Sequence, residues 1–506
     1  MRAHLPTFWI KAALLAGLVA LADQLLFTAP DLGGNMGMVL LGFVAAAGLA
    51  HRAIWKSRVG LTALGSAAAL ALVQIEHATI VGWLMFWTAL AVAVLAPRAA
   101  ASDGAWQWWQ RLVVLGLKGL IAPVADLLRL LKTRERRGRI RPQAVLLTLA
   151  LPAIGGVVFF ALFAAANPVI GDWFSALSLP TPDFERIIPS AFVALLAWGA
   201  LRPHSLRRPL RTVDAQGELD LPGVTLRSIT LSLVVFNAIF ALQNGLDVAF
   251  LWSGAPLPEG MTLAEYAHRG AYPLIATALL AGVFVVVFLR PGTATADAPL
   301  VRRLVILWIV QNLFLVASTA LRTIDYIDVY SLTRLRIAAL LWMGLVATGL
   351  GLIAWRLLKA KSTAWLINAN VLGAGVVLAG CAVVDLGAVA AAWNVRHARE
   401  AGGRGEALDV CYLQGLGGGA AVSLAQLERM DVDPELKARA AWARAQAVGK
   451  LEENHADWRT WTFRDARRLS RVQALTQGLP PPRPTPCRPA APRLTAPQLT
   501  APANPR

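Results

Sequence analysis

The run Leu304–Leu321, LVILWIVQNLFLVASTAL, decides the fold. It holds no charged side chain, and its length is close to the roughly 20 apolar residues that cross a hydrocarbon core as a helix. Arg302 and Arg303 stand before it and Arg322 follows it, while Gln311 and Asn312 lie near its middle. A transmembrane β-strand would alternate polar and apolar residues over about ten positions, so this run predicts a helix. Comparable runs recur at Phe8–Phe27, Met36–Ile54, Val59–Val73, Thr79–Ala96, Ala144–Ala166, Ile187–Leu201, Ser228–Trp252, Ala271–Leu289, Ile337–Trp355 and Trp365–Val384. The expected fold class is therefore all-α integral membrane, with about eleven transmembrane helices and a small extracytoplasmic helical C-terminal domain.

Composition agrees. The 506 residues are 57% hydrophobic and only 15% charged, against about 25% charged in an average soluble domain. The formal charge of +18 is spread over short loops between apolar runs, where positive-inside bias and anionic headgroups account for it. No recognition module frames it, so nucleic acid is not an expected partner. Three cysteines without a CxxC pair and seven scattered histidines predict no metal site, and no cofactor is expected.

Every second loop is basic. Arg52, Lys56 and Arg58 follow the second run; Arg202, Arg207, Arg208 and Arg211 the sixth; Arg356, Lys359 and Lys361 the tenth. This alternation predicts a bacterial plasma (inner) membrane protein with a cytoplasmic N-terminus and an extracytoplasmic C-terminus. Arg2 and Ala20-Leu21-Ala22 imitate a cleaved signal peptide, but Lys11 inside the run favours a retained helix. The expected organisation is a four-helix membrane segment over 1–97 and a basic cytoplasmic loop over 98–143. A seven-helix membrane domain over 144–393, a helical domain over 394–478 and a disordered Pro/Ala-rich tail over 479–506 follow. Within the basic loop, Gln107, Arg111, Lys118, Arg129 and Lys132 share one helical sector. That pattern predicts an amphipathic helix lying in the inner headgroup layer. Asp433-Pro434-Glu435 reads as a helix start, with an N-cap, a proline at the first position and an acid in the first turn.

Four segments carry a family resemblance: Gly260–Gly270 (GMTLAEYAHRG), Tyr330–Arg336 (YSLTRLR), Trp393–Ala398 (WNVRHA) and Leu408–Leu413 (LDVCYL). In order and spacing they resemble a bacterial multi-pass membrane family catalogued as domain of unknown function 4173, with a close relative numbered 4153. The resemblance implies a polytopic membrane protein and brings no activity, ligand or catalytic residue.

Placed on the predicted topology, the motifs gather charge of both signs at the outer ends of the helices. The candidate outer cluster is Asp247, Glu265, Tyr266, Arg269, Arg322, Asp325, Tyr330, Arg334, Arg336 and Arg396. Arg334 and Arg336 are about 200° apart on a helix, which gives them different partners. The leading reading is interhelical bracing; the sharper one is a site where Arg322, Arg334 or Arg336 binds an anionic lipid headgroup or envelope precursor. A second set, Asn237, Asn244, Gln311 and Asn312, lies inside predicted spans and reads as interhelical glue or as part of a polar path. No nucleophile, base or metal constellation marks an enzyme. The functional expectation is a structural or signalling-associated membrane protein whose partners are membrane lipids and an unidentified protein. A permease or lipid transporter is the alternative. Cys411 and Cys487 would share the outer compartment, where a disulfide is open to them.

Overall fold

The computed structural model describes residues 5–29, 31–100, 102–135, 184–203, 206, 209–210, 225–249, 280, 284, 298–403, 405 and 407–487. Two predicted spans, Ala144–Ala166 and nearly all of Ala271–Leu289, lie outside the described residues, as do the first motif with Glu265, Tyr266 and Arg269 and the tail after 487. Among the described residues there are helices and no strand. Seven helices are long and apolar enough to cross a membrane, and two shorter apolar ones, Gly34–Ala50 and Arg186–Leu201, accompany them. The chain divides into two compact units, Met1–Arg211 and Thr212–Arg506. The boundary expected between 143 and 144 falls outside the described residues.

In the first unit, α1 (Leu5–Ala22) continues into a π-turn (Asp23–Phe27), followed by α2 (Gly34–Ala50), α3 (Arg58–Glu76) and α4 (Ile80–Leu95). Two more helices, α5 (Ala105–Glu135) and α6 (Phe184–Leu201), complete it. The α3–α4 hairpin is set by Gln74, whose amide donates to Thr79 O (3.0 Å) and accepts from Thr79 N (2.9 Å). Thr79 in turn caps α4 by accepting from Gly82 N. Helices α2 and α3 touch where Gly37 faces the backbone of α3: a Cβ there would lie 2.5 Å from Ala71 O, so only glycine permits the crossing. Phe86, Leu40, Leu90 and Leu95 fill the core.

Polar groups in this unit close the end of α6. Lys11 Nζ donates to Leu201 O (2.6 Å) and His51 Nε2 bonds Ala200 O (3.0 Å), so a lysine inside an apolar helix finds the carbonyl-rich C-terminus of another. Helix α5 covers the stretch expected to be amphipathic. Arg111, 2% exposed, pairs with Asp103 at 2.7 Å, while Lys118 of the same sector is exposed. Asp126 accepts from Trp198 Nε1 (3.1 Å) and pairs with Arg202 (3.0 Å). Leu117, Leu120 and Ile121 are exposed.

The second unit contains α7 (Leu226–Asp247), α8 (Pro299–Tyr330), α9 (Arg334–Lys359) and α10 (Thr363–Val383), packed in sequence order apart from the undescribed stretch. Trp308 is its centre, with Phe236, Phe284 and Phe240 rings at 5.3, 5.6 and 5.8 Å. After α10 come α11 (Leu386–His397), α12 (Val410–Gly415), α13 (Ala421–Arg429), α14 (Pro434–Ala456) and α15 (Phe463–Thr476). Asp433 accepts from Glu435 N and Leu436 N at the start of α14. Leu413, Leu424 and Leu427 are fully buried among these helices. A buried pair, Glu428–Arg444 (2.5 Å), links α13 to α14. Arg464 donates to Val383 O (3.0 Å) and Arg468 pairs with Asp385, so α15 is tied to the end of α10.

Candidate functional site

Helices α7 and α8 share a column of polar side chains. Asn237 donates to Leu304 O (3.1 Å) and accepts from Gln311 Nε2 (2.9 Å). Asn244 Nδ2 donates to Gln311 O (3.2 Å). One end of the column is Asp247, which pairs with Arg322 and accepts from Gln243 (3.0 Å). Asp247 is fully buried and Arg322 is 5% exposed. Asn312, also fully buried, donates to Trp308 O one turn back in its own helix. Four buried oxygens, Asn244 Oδ1, Asp247 Oδ2, Gln311 Oε1 and Asn312 Oδ1, have no hydrogen-bond partner among the described residues.

Beyond Arg322 the second, third and fourth motifs meet. Helix α8 stops at Tyr330 because Ser331 takes φ 68°, a conformation that ends a helix. Thr333 caps α9 by accepting from Arg336 N. Arg336 folds back: its guanidinium donates to Tyr330 O (2.6 Å) and to Ser331 O, and it sits over the Tyr326 ring at 4.3 Å. That satisfies carbonyls at the end of α8 with a positive charge, as the helix dipole favours. Asn394, 5% exposed on α11, acts like a strand of backbone toward Leu332. Its Oδ1 accepts from Leu332 N (2.7 Å) and its Nδ2 donates to Leu332 O (2.9 Å). Tyr412 Oη accepts from Arg334 N (3.0 Å), and Tyr412 packs beside Ile327, Leu332 and Ala390.

The predicted cluster is thereby divided. Asp247 and Arg322 come together, Arg336 bonds backbone carbonyls, and the Arg334 guanidinium lies against Gly387. Arg396 and Tyr330 are exposed, and Asp325 lies in the last turns of α8. Arg334 and Arg336 do face different partners. Sequence reasoning weighted the arginines and gave Asn394 and Tyr412 no role. Their presence inside quoted motifs was the available signal.

Between α8 and α11 the junction leaves a cleft of about 170 Å³ lined by Ile327, Asp328, Ser331, Trp393, Asn394 and His397, with Ala398 and Gly405. The His397 ring stacks on Trp393 at 3.9 Å, and its Nδ1 bonds Trp393 O (2.9 Å). Gly405 closes one side, where a Cβ would lie 2.4 Å from His397 O. The lining offers one carboxylate, one imidazole and a hydroxyl around an apolar floor. Among the described residues no group of three or more His, Cys, Asp or Glu side chains is placed to hold a metal.

A family model described as domain of unknown function, DUF4153, matches residues 59–427. The chain belongs to the DUF4153 family. The resemblance drawn from the motifs named family 4173 first and 4153 as its relative; the match is to the relative. It spans α3 to α13, so the DUF4153 region takes in the polar column, the junction and the cleft. No curated protein and no solved structure matches the chain.

If Asn394 is the clamp of this DUF4153 junction, Asn394→Ala leaves a buried N–H and C=O of Leu332 unsatisfied. The cost should be about 2–4 kcal/mol. Asn394→Asp, which keeps the acceptor for Leu332 N but sets an unpaired buried carboxylate against Leu332 O, should cost at least as much as Ala in thermal unfolding near neutral pH. Full stability of Asn394→Ala would remove the clamp.

Proposed function

We propose that this DUF4153 protein is a membrane-embedded scaffold that holds its C-terminal helices in a fixed position and presents the junction cleft to a protein partner. The observation that supports it best is the fate of the charges. Arg322 is paired and buried, and Arg336 is bonded to backbone carbonyls. A site for phosphate would keep such guanidinium groups open for bidentate contacts. The cleft, lined by Asp328 and His397 over Ile327 and Trp393, suits a short protein segment carrying a hydrogen-bond donor or cation better than an anionic lipid headgroup.

The basic-loop alternation supports an orientation in a bacterial plasma membrane with the N-terminus inside and the C-terminal helices outside, and the scaffold reading adopts it. The permease alternative has weaker support. The polar side chains of α7 and α8 bond one another and nearby carbonyls, and Trp308 packs among three phenylalanines beside them.

A photo-crosslinking residue placed at 328 or 397 in native membranes should give a discrete protein adduct. The same residue at Glu435, whose side chain is 77% exposed on α14, should give none. Absence of adducts at 328 and 397, or identical adducts at all three positions, would contradict a partner-binding cleft.

A further inference from the structure

The chain after α15 returns to the C-terminal helices. Residues 479–487 read LPPPRPTPC, and five of these nine are proline. Each proline locks φ, so the segment is a stiff arm with little conformational freedom to lose. Its root is held: Arg429 on α13 donates to Leu475 O (2.7 Å) and Gln477 O (2.5 Å), and Gly478 turns the chain at φ 78°. Its far end is held too. The Cys487 thiol lies beside the Cys411 thiol, although one is on the arm and the other on α12. Both are half-buried and free, and the third cysteine, Cys381, lies in the membrane-length helix α10.

We propose that Cys411 and Cys487 are a dithiol that closes to a disulfide and fastens the proline arm across the C-terminal helices. A stiff arm pinned at its root brings two thiols together with no chain rearrangement left to make. Burial and the contact with Cys487 push the Cys411 thiol up to about 12, with Asp409 adding and Arg439 opposing. Cys411 is thus held as the neutral thiol, and Cys487 is the attacking sulfur.

The co-reactant is an external disulfide, from an oxidoreductase or a small-molecule dithiol couple. Cys487 thiolate attacks it, forming a mixed disulfide and releasing one thiolate. Cys411 then loses its proton and attacks the Cys487 sulfur, releasing the second thiolate. The protein dithiol gives up two electrons and two protons, and the external disulfide is reduced to two thiols. Cys411 neighbours Tyr412, whose hydroxyl holds Arg334 N, so the closed bridge also steadies the junction.

Closure in the cell rests on the outward orientation adopted above, because disulfides persist in oxidising compartments. The test uses the full-length protein with Cys381→Ser, acid-quenched in cells and labelled with a mass-tagged maleimide. No adduct before reduction and two after it are expected; Cys411→Ser or Cys487→Ser should each take one adduct without reductant. Two adducts before reduction would overturn closure in the cell. Protease accessibility of the C-terminus in spheroplasts then shows whether the orientation failed. Purified full-length protein with oxidised glutathione tests the geometry separately. Rapid formation of the 411–487 bridge is expected, and accumulation of mixed disulfides alone would overturn the pairing itself.

Discussion

A buried carboxylate must have a partner, and in this protein the Asp247–Arg322 pair between α7 and α8 is where that constraint is sharpest. Taking either charge out of water costs several kcal/mol unless the other is in contact with it. The pair therefore sets the register of α7 against α8 at one end, as Asn237 and Gln311 do deeper in the column. With that register fixed, α8 ends at Tyr330 and the turn to α9 falls opposite α11. Asn394 then needs only one position to reach both polar atoms of Leu332.

The same constraint explains why the charged motifs form a brace more than an open site. Arg336 belongs to the carbonyls ending α8, Asp385 to Arg468, and Glu428 to Arg444. Each of these contacts joins segments well separated in sequence or closes a helix terminus. Among the described residues a small cleft beside Trp393 and His397 stays accessible, and its apolar floor and single carboxylate define the chemistry it can meet.

Much of this was legible in the sequence, for a physical reason. Hydropathy over a bilayer's thickness and a cap residue such as Asp433 are local signals, and they mark helices where the structure has them. The ion pairs of α5 were not legible, because Arg111 and Asp126 find Asp103 and Arg202 only once the helices are packed. Asn394 was overlooked for a similar reason: its partner is the backbone of Leu332, which carries no sequence signature. Arg334 and Arg336 drew attention by their charge, yet what each touches depends on the Ser331 turn and on Tyr412.

The most direct measurement is a double-mutant cycle on Asp247 and Arg322, read as thermal stability of the purified protein. On the bracing account, Asp247→Leu or Arg322→Met alone leaves a buried charge uncompensated and costs about 3–5 kcal/mol, while the two together recover most of that loss. Single replacements without effect, or a double replacement no better than the worse single one, would contradict it.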